Sequence, residues 1–145
     1  MASESTEWPV GQAVPESVKK TVSEFFSLAD SKDDATPEKL AALFTEDGAM
    51  YSLAGVSIGR ANIAAARPKS WNMISTRKHQ PLKVYSHTPD FSDILIFGKI
   101  SAELTNGNAL TVDFIANFIL TPEGSIKEYK SWGDTSPWFK AMGLK

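Results

Sequence analysis

The stretch Ile94–Trp132, ILIFGKISAELTNGNALTVDFIANFILTPEGSIKEYKSW, decides the fold. It holds two apolar runs rich in Ile, Phe and Val and a third, more polar run carrying Ile126, Tyr129 and Trp132, separated by two turn signals, Asn106–Gly107 and Thr121–Pro122–Glu123–Gly124. Runs of this kind between Gly, Pro and Asn clusters read as strands, and Asn-Gly between them is a strong hairpin signal. The reading is three antiparallel strands over Ile94–Leu104, Ala109–Leu120 and Ser125–Asp134. A fourth strand, Arg77–His87, precedes them across the breaker Thr88–Pro89–Asp90.

Working outward, the first half is helical. Val18, Val22, Phe25, Phe26 and Ala29 fall on one face of a helix from about Pro15 to Ala29. Thr36–Pro37 opens a second, short helix carrying Leu40, Leu43 and Phe44, which Asp47–Gly48 ends in a turn. Ala49–Leu53 and Val56–Ile58 form a small hairpin about Ala54–Gly55. A third helix begins near Arg60, and Pro68 is expected to kink or end it by pushing Arg67 out of the α region. Helices early and strands late define an α+β protein: two to three N-terminal helices packed on a strongly curved antiparallel sheet.

The chain of 145 residues is one domain's worth of polymer, and its 42% hydrophobic and 22% charged residues exclude disorder. Residues 1–13 read as a loose polar arm and 14–145 as the single domain. The net charge of -2 gives no field for nucleic acid. There is no cysteine, which removes thiolate chemistry and cysteine metal sites and suits a reducing, cytoplasmic setting. No apolar run approaches membrane-spanning length, and the N-terminus lacks a signal peptide's apolar region. His79 and His87 lie about 26 Å apart along a strand and cannot share a metal. No cofactor is expected.

Register then selects side chains. If Asn106–Gly107 is a two-residue loop, Thr105 opposes Asn108, Gly98 opposes Ile115 and Ile100 opposes Asp113. If Leu120 pairs with Ser125, Asn117 opposes Glu128 and Asp113 opposes Trp132. One face then collects Ile96, Gly98, Ile100, Asp113, Asn117, Glu128 and Trp132, an apolar surface with two carboxylates and an amide. Gly98 in mid-strand suggests a bend that curls the sheet round a cavity. Asp113 and Asn117, about 13 Å apart by strand rise, would bracket a small molecule. Asp113 could instead cap a helix or bind Trp132, and a bulge near Tyr129 would turn Glu128 outward. The opposite face, with its Phe row, calls for a second subunit. His79 is a natural acid/base whose face the Thr88–Ser92 loop leaves open. Lys69, Arg77 and Lys78 read as a small solvated basic patch.

The order of these pieces resembles the NTF2-like superfamily, in particular SnoaL-like small proteins of fungal biosynthetic clusters. The matching segments are LADSKD, LAALFTEDG, IGRANIAAARPKSW, RKH, TVDFIANFIL and SIKEYKSWGDTSPW, from about Val14 to Pro137. The resemblance implies a cone of curved sheet closed by helices and dimeric through the sheet's outer face. Such proteins are often cofactor-free isomerases, cyclases, dehydratases or epoxide hydrolases, and some are binding or scaffold domains. An acid at the position of Glu128 is unusual for the family. The Asp–Arg–Asp pattern of its epoxide hydrolases is missing around Asp113.

The functional expectation is a cofactor-independent isomerase, cyclase or dehydratase acting on a hydrophobic oxygenated small molecule, of the kind made in secondary metabolism. Asp113, Glu128 and His79 are the expected acids and bases, and Asn117 and Tyr51 orient the substrate's oxygen. Trp71, Trp132, Tyr129, Phe26 and Leu43 wall the cavity, with Asp30 at its mouth. The competing expectation is a non-catalytic dimeric binding or scaffold domain.

Overall fold

The computed structural model describes residues 5–52 and 55–144. The chain runs α1 (Glu16–Ala29), α2 (Thr36–Ala41), β1 (Phe44–Ser52), β2 (Gly55–Ile58), α3 (Arg60–Ala66), a 3-10 turn (Arg67–Trp71), β3 (Ile74–Ser86), β4 (Asp93–Leu104), β5 (Ala109–Leu120), β6 (Ile126–Trp132) and α4 (Ser136–Met142). The strands form one sheet in the order β2-β1-β6-β5-β4-β3. β1 and β6 are parallel and every other neighbour pair is antiparallel, so the sheet is mixed rather than wholly antiparallel.

α1 supplies the apolar lid of the sheet. Val18, Val22, Phe25, Phe26 and Ala29 are buried on it, at the helical spacing that the sequence displays. Phe25 meets Phe118 edge to face at 5.1 Å, and Phe26 meets the same ring at 5.8 Å. Each such ring, fully buried, contributes roughly 1.5–3 kcal/mol, and removing one leaves a cavity its neighbours cannot fill.

Three local expectations change. Asp47–Gly48 does not end an element; β1 runs through it with a register shift between Phe44 and Ala49. Arg67 keeps α-region angles (φ -60, ψ -43), and Pro68 instead converts the chain to a 3-10 turn. The N-terminal arm is not loose at Thr6–Trp8: the Glu7 N–H donates to Leu82 O (2.8 Å), its carbonyl accepts from Val84 N–H (3.1 Å), and Thr6 Oγ1 donates to Pro81 O (2.8 Å). The tip of the β1–β2 hairpin, Leu53–Ala54, lies outside the described residues.

The two turns decide which side chains face the helices, and both differ from the two-residue and four-residue loops that the sequence suggests. Glu103 pairs with Ala109, and the loop is Thr105–Asn106–Gly107 with Gly107 at φ 89. That is the three-residue hairpin with a left-handed glycine. A one-residue difference in register exchanges the two faces of a strand. Phe114, Ala116, Phe118 and Leu120 therefore face inward, and Asp113 and Asn117 face outward. At the second turn Leu120 pairs with Ile126 but Ile119 with Glu128, so Lys127 is an extra residue. This bulge turns Glu128 out and Tyr129 in.

Gly98 sits opposite Pro81, where β3 carries its own register shift. A Cβ at Gly98 would lie 2.5 Å from the Gln80 carbonyl and 2.7 Å from the Phe114 ring. The missing side chain is what lets Phe114 cross over β4.

Candidate active site

Between the inner sheet face, the 3-10 turn and α4 lies a cavity of about 480 Å3. Phe25, Met50, Ile74, Ile100 and Trp138 give it apolar walls, while Arg67, Arg77, His79, Tyr129 and Ser131 bring polar groups. α4 closes one side. The Asn106 and Asn108 side chains at the hairpin tip donate to the Ala141 carbonyl (2.9 and 2.8 Å) and hold the helix there.

At the cavity floor His79 meets Asp30. His79 extends from β3 opposite Ile100, and Asp30 follows the last residue of α1. The Asp30 carboxylate uses both oxygens on this one residue: Oδ1 lies 2.6 Å from His79 Nδ1, and Oδ2 accepts the His79 backbone N–H at 2.7 Å. A carboxylate acceptor fixes the proton on Nδ1 and leaves Nε2 as the lone-pair nitrogen. Both side chains are sequestered, 14% and 17% exposed. Phe26 and Phe114 flank the imidazole at 5.1 and 5.4 Å between centroids. Burial pushes the imidazole pKa below its ordinary value, and Asp30 opposes that shift. His79 is therefore a neutral base at neutral pH, held in one tautomer and one orientation.

Two arginines adjoin the pair. Arg77 is pulled down to about 10 by burial. Its Nε lies 3.8 Å from Asp30 Oδ1, its guanidinium donates to the Ser70 and Ala29 carbonyls, and it stacks 4.0 Å over Trp71. Arg67 is only 9% exposed, and burial lowers its pKa as well. Among the described residues its one side-chain hydrogen-bond contact is the weak acceptor Met50 Sδ, 4.0 Å from Nη1. The buried Tyr129 phenol is pushed up to about 12 by burial, against the Ser131 side chain beside it, so it stays protonated as a donor.

The residues singled out from sequence divide sharply. Asp30, His79 and Tyr129 come together here. Asp113 faces the other side of β5 and binds Lys99 Nζ at 2.8 Å, its side chain 82% exposed. It borders, with the half-exposed Trp132, a narrow cleft of about 90 Å3 whose inner wall includes His79 and Tyr129. Asn117 donates to Asp93 Oδ1 and the Ile94 carbonyl (2.8 and 2.9 Å). Glu128 pairs with Lys130 at 3.0 Å, and that lysine lies over the Tyr51 ring on the same outer side. Trp71 backs Arg77 rather than lining the space, Phe26 lies beneath His79 in the core, and Leu43 packs against that core. The slip at the first turn explains Asp113, Asn117, Glu128 and Trp132, because the shorter second loop and the Lys127 bulge offset each other and keep β6 on the expected face relative to β5. For Tyr51 the cause is alternation on β1, which gives the inner position to Met50.

Arg67, Arg77 and α4 are the parts that the sequence reading misses. Arg77 and His79 stand two apart on one strand, so the face of one fixes the other; Arg77 is buried, not solvated. α4 was marked by Pro137 in its first turn and Gly143 in the left-handed position after its end (φ 76). Among the described residues no three His, Cys, Asp or Glu gather closely enough to hold a metal ion, and no helix is long and apolar enough to cross a membrane.

No protein-family model and no curated protein sequence matches the chain. Solved structures do match its shape. A protein from Catenulispora acidiphila with a ketosteroid isomerase-like fold, in complex with trimethylamine, superposes with a TM-score of 0.73 at 18% identity, over 92% of this chain and 96% of that one. A phenazine biosynthesis-related protein from Pseudomonas aeruginosa gives 0.70 at 18%, over 90% and 87%. A putative polyketide cyclase from Xanthomonas campestris pv. campestris gives 0.67 at 14%, over 87% and 96%. The chain has the NTF2-like, ketosteroid isomerase-like fold. At these identities the likeness carries the architecture; the chemistry must be argued from the cavity.

Proposed function

We propose that the protein is a cofactor-independent acid–base enzyme, an isomerase, cyclase or dehydratase of hydrophobic oxygenated small molecules, working in the cavity above His79. The observation that carries this reading is the Asp30–His79 pair, buried at the base of an apolar cavity with one imidazole nitrogen uncommitted among the described residues. His79 Nε2 removes a proton from a carbon next to a carbonyl or next to a departing hydroxyl. Asp30 steadies the imidazolium that forms, as a carboxylate does behind a catalytic histidine. The Tyr129 hydroxyl and the Arg67 guanidinium supply donors for the oxygen on which negative charge develops, set among the apolar walls of the cavity. Return of the proton at a different carbon gives isomerisation, its delivery to a leaving hydroxyl gives dehydration, and carbon–carbon closure before its return gives cyclisation.

The test is exchange of solvent deuterium into the acidic carbons of ring ketones such as 2-tetralone, followed by NMR. The wild-type protein should accelerate exchange, and His79→Gln should lower the rate by about 10²–10⁴-fold with unchanged circular dichroism. A His79→Gln protein as fast as wild type would refute the assignment.

The cytoplasmic homodimer belongs to the same reading. Tyr85, Leu95, Phe97 and Trp132 on the outer side of the sheet are 53%, 39%, 41% and 52% exposed, a surface suited to a second copy. Light scattering at micromolar concentration checks it; a monomer there would remove that part.

A further inference from the structure

The charges of the cavity do not balance. Its lining carries the guanidinium groups of Arg67 and Arg77 and, at the rim, the exposed Lys69, while among the described residues it carries no carboxylate. The nearest acid is Asp30 behind His79, and both its oxygens are already on His79, with Arg77 Nε at 3.8 Å. Arg77 is a structural cation: it donates to the Ser70 and Ala29 carbonyls and stacks on Trp71, so its donors are largely consumed in joining α1, the 3-10 turn and β3. Arg67 is different. It is 91% buried, yet among the described residues its guanidinium has only a thioether sulfur as hydrogen-bond partner, although a guanidinium carries five N–H donors in a fork suited to a carboxylate. A buried cation without a counter-anion is costly and is tolerated where a ligand completes it. Glu128 and Asp113, the acids that could have balanced it from β5 and β6, are turned outward and bound to lysines.

We infer that the cavity takes an anionic substrate, a hydrophobic molecule bearing a carboxylate, with Arg67 as the residue that receives that carboxylate beside the His79 base. This deepens the acid–base reading above and rests on the same cavity being the site. The apolar walls of Phe25, Ile74, Ile100 and Trp138 take the body of the molecule, and the guanidinium fixes one end of it. The reacting carbon is thereby presented to Nε2 in one orientation. Losing the charge without losing the shape should then cost affinity, not only rate.

Calorimetric titration of the full chain with 2-naphthoate and with 2-naphthamide, which share a skeleton and differ in charge, tests this. The acid should bind about 10–100-fold more tightly than the amide, the range of one charge-assisted hydrogen-bonded contact. Arg67→Gln should abolish the preference, and Arg67→Lys should keep part of it. His79→Gln should keep all of it, because that residue moves the proton and does not hold the anion. Equal affinity of the wild-type protein for acid and amide overturns the inference whether or not Arg67→Gln folds. So does a preference that survives Arg67→Gln, or one that disappears in His79→Gln. Binding needs no turnover: an anion preference in a protein that fails the exchange assay would sink the acid–base reading alone, and exchange without anion preference would sink this inference alone.

Discussion

The two sides of the sheet carry the same kinds of groups and put them to different uses. Outside, Asp113 with Lys99 and Glu128 with Lys130 are ion pairs in contact with solvent. Water screens such pairs and they contribute little. Inside, Asp30 with His79 and Arg77 is largely shielded from solvent, and burial lowers the pKa of the imidazole and of the guanidinium. Residue type does not separate the two sets. Depth does, because the cost of desolvating a charge sets what that charge can do.

The strongest way to break this contrast is Asp30→Asn. The amide keeps the shape but no longer enforces the tautomer with its proton on Nδ1, so turnover should fall by about 10²–10⁴-fold. The acid limb of kcat/KM should also move further down, since Asp30 is the group that holds the His79 pKa up. A variant with wild-type kcat would mean that Asp30 only packs.

Gly98→Ala tests whether the inner face tolerates any added volume. With its Cβ 2.5 Å from a backbone carbonyl, it should lose about 1–3 kcal/mol in urea denaturation. A loss below about 0.5 kcal/mol would show that β3 and Phe114 move aside freely.

The pH dependence sharpens the contrast through its sign. His79 has a lowered pKa in the folded chain, so between that value and the ordinary 6.5 the unfolded chain binds a proton that the native chain does not. Stability should therefore be fully present above pH 6.5 and fall as pH drops through the window below it. Melting at pH 7.5 and pH 5 should show the decline in wild type and a smaller one in His79→Gln; equal declines would assign it to other groups. By the same reasoning kcat/KM should stay level through pH 6.5 and decline only below it.

The smallest effects belong to the outer pairs. Asp113→Asn should change stability by no more than about 0.5 kcal/mol, and neither it nor Glu128→Gln should alter turnover by more than twofold. A large loss in either would mean that the narrow cleft by Trp132, not the main cavity, holds the reacting groups.

What could be read from the sequence follows the same division. Strand positions and the helix-forming stripe of α1 are local and legible; the Pro137 and Gly143 signals of α4 are equally local, though the sequence reading passes over them. The faces were not local. They depended on whether Gly107 sits in a two-residue or a three-residue loop, and Asn-Gly is compatible with either loop. The slip at Gly107 turned β5 and β6 over together, while at the second turn a shorter loop and the extra Lys127 offset each other, which is why a largely correct list of strands gave a site made of Asp113, Asn117 and Glu128. Asp30 and His79 are 49 positions apart, and only the packing of α1 across β3 brings them together. Nothing in their separate neighbourhoods announces the pair.

The bulge at Lys127 has a consequence for how such a molecule changes over generations. Pairing the strand without that bulge, with Leu120 still opposite Ile126, would set Glu128 opposite Phe118 and exchange it for Tyr129 at the cavity wall without altering the chemistry of any side chain. Point substitutions tune a site one group at a time; a shift of parity in a turn swaps its whole membership at once. In a sheet with acids, amides and aromatics ready on both sides, the length of a loop is then as much a determinant of reactivity as the identity of the residues that it joins.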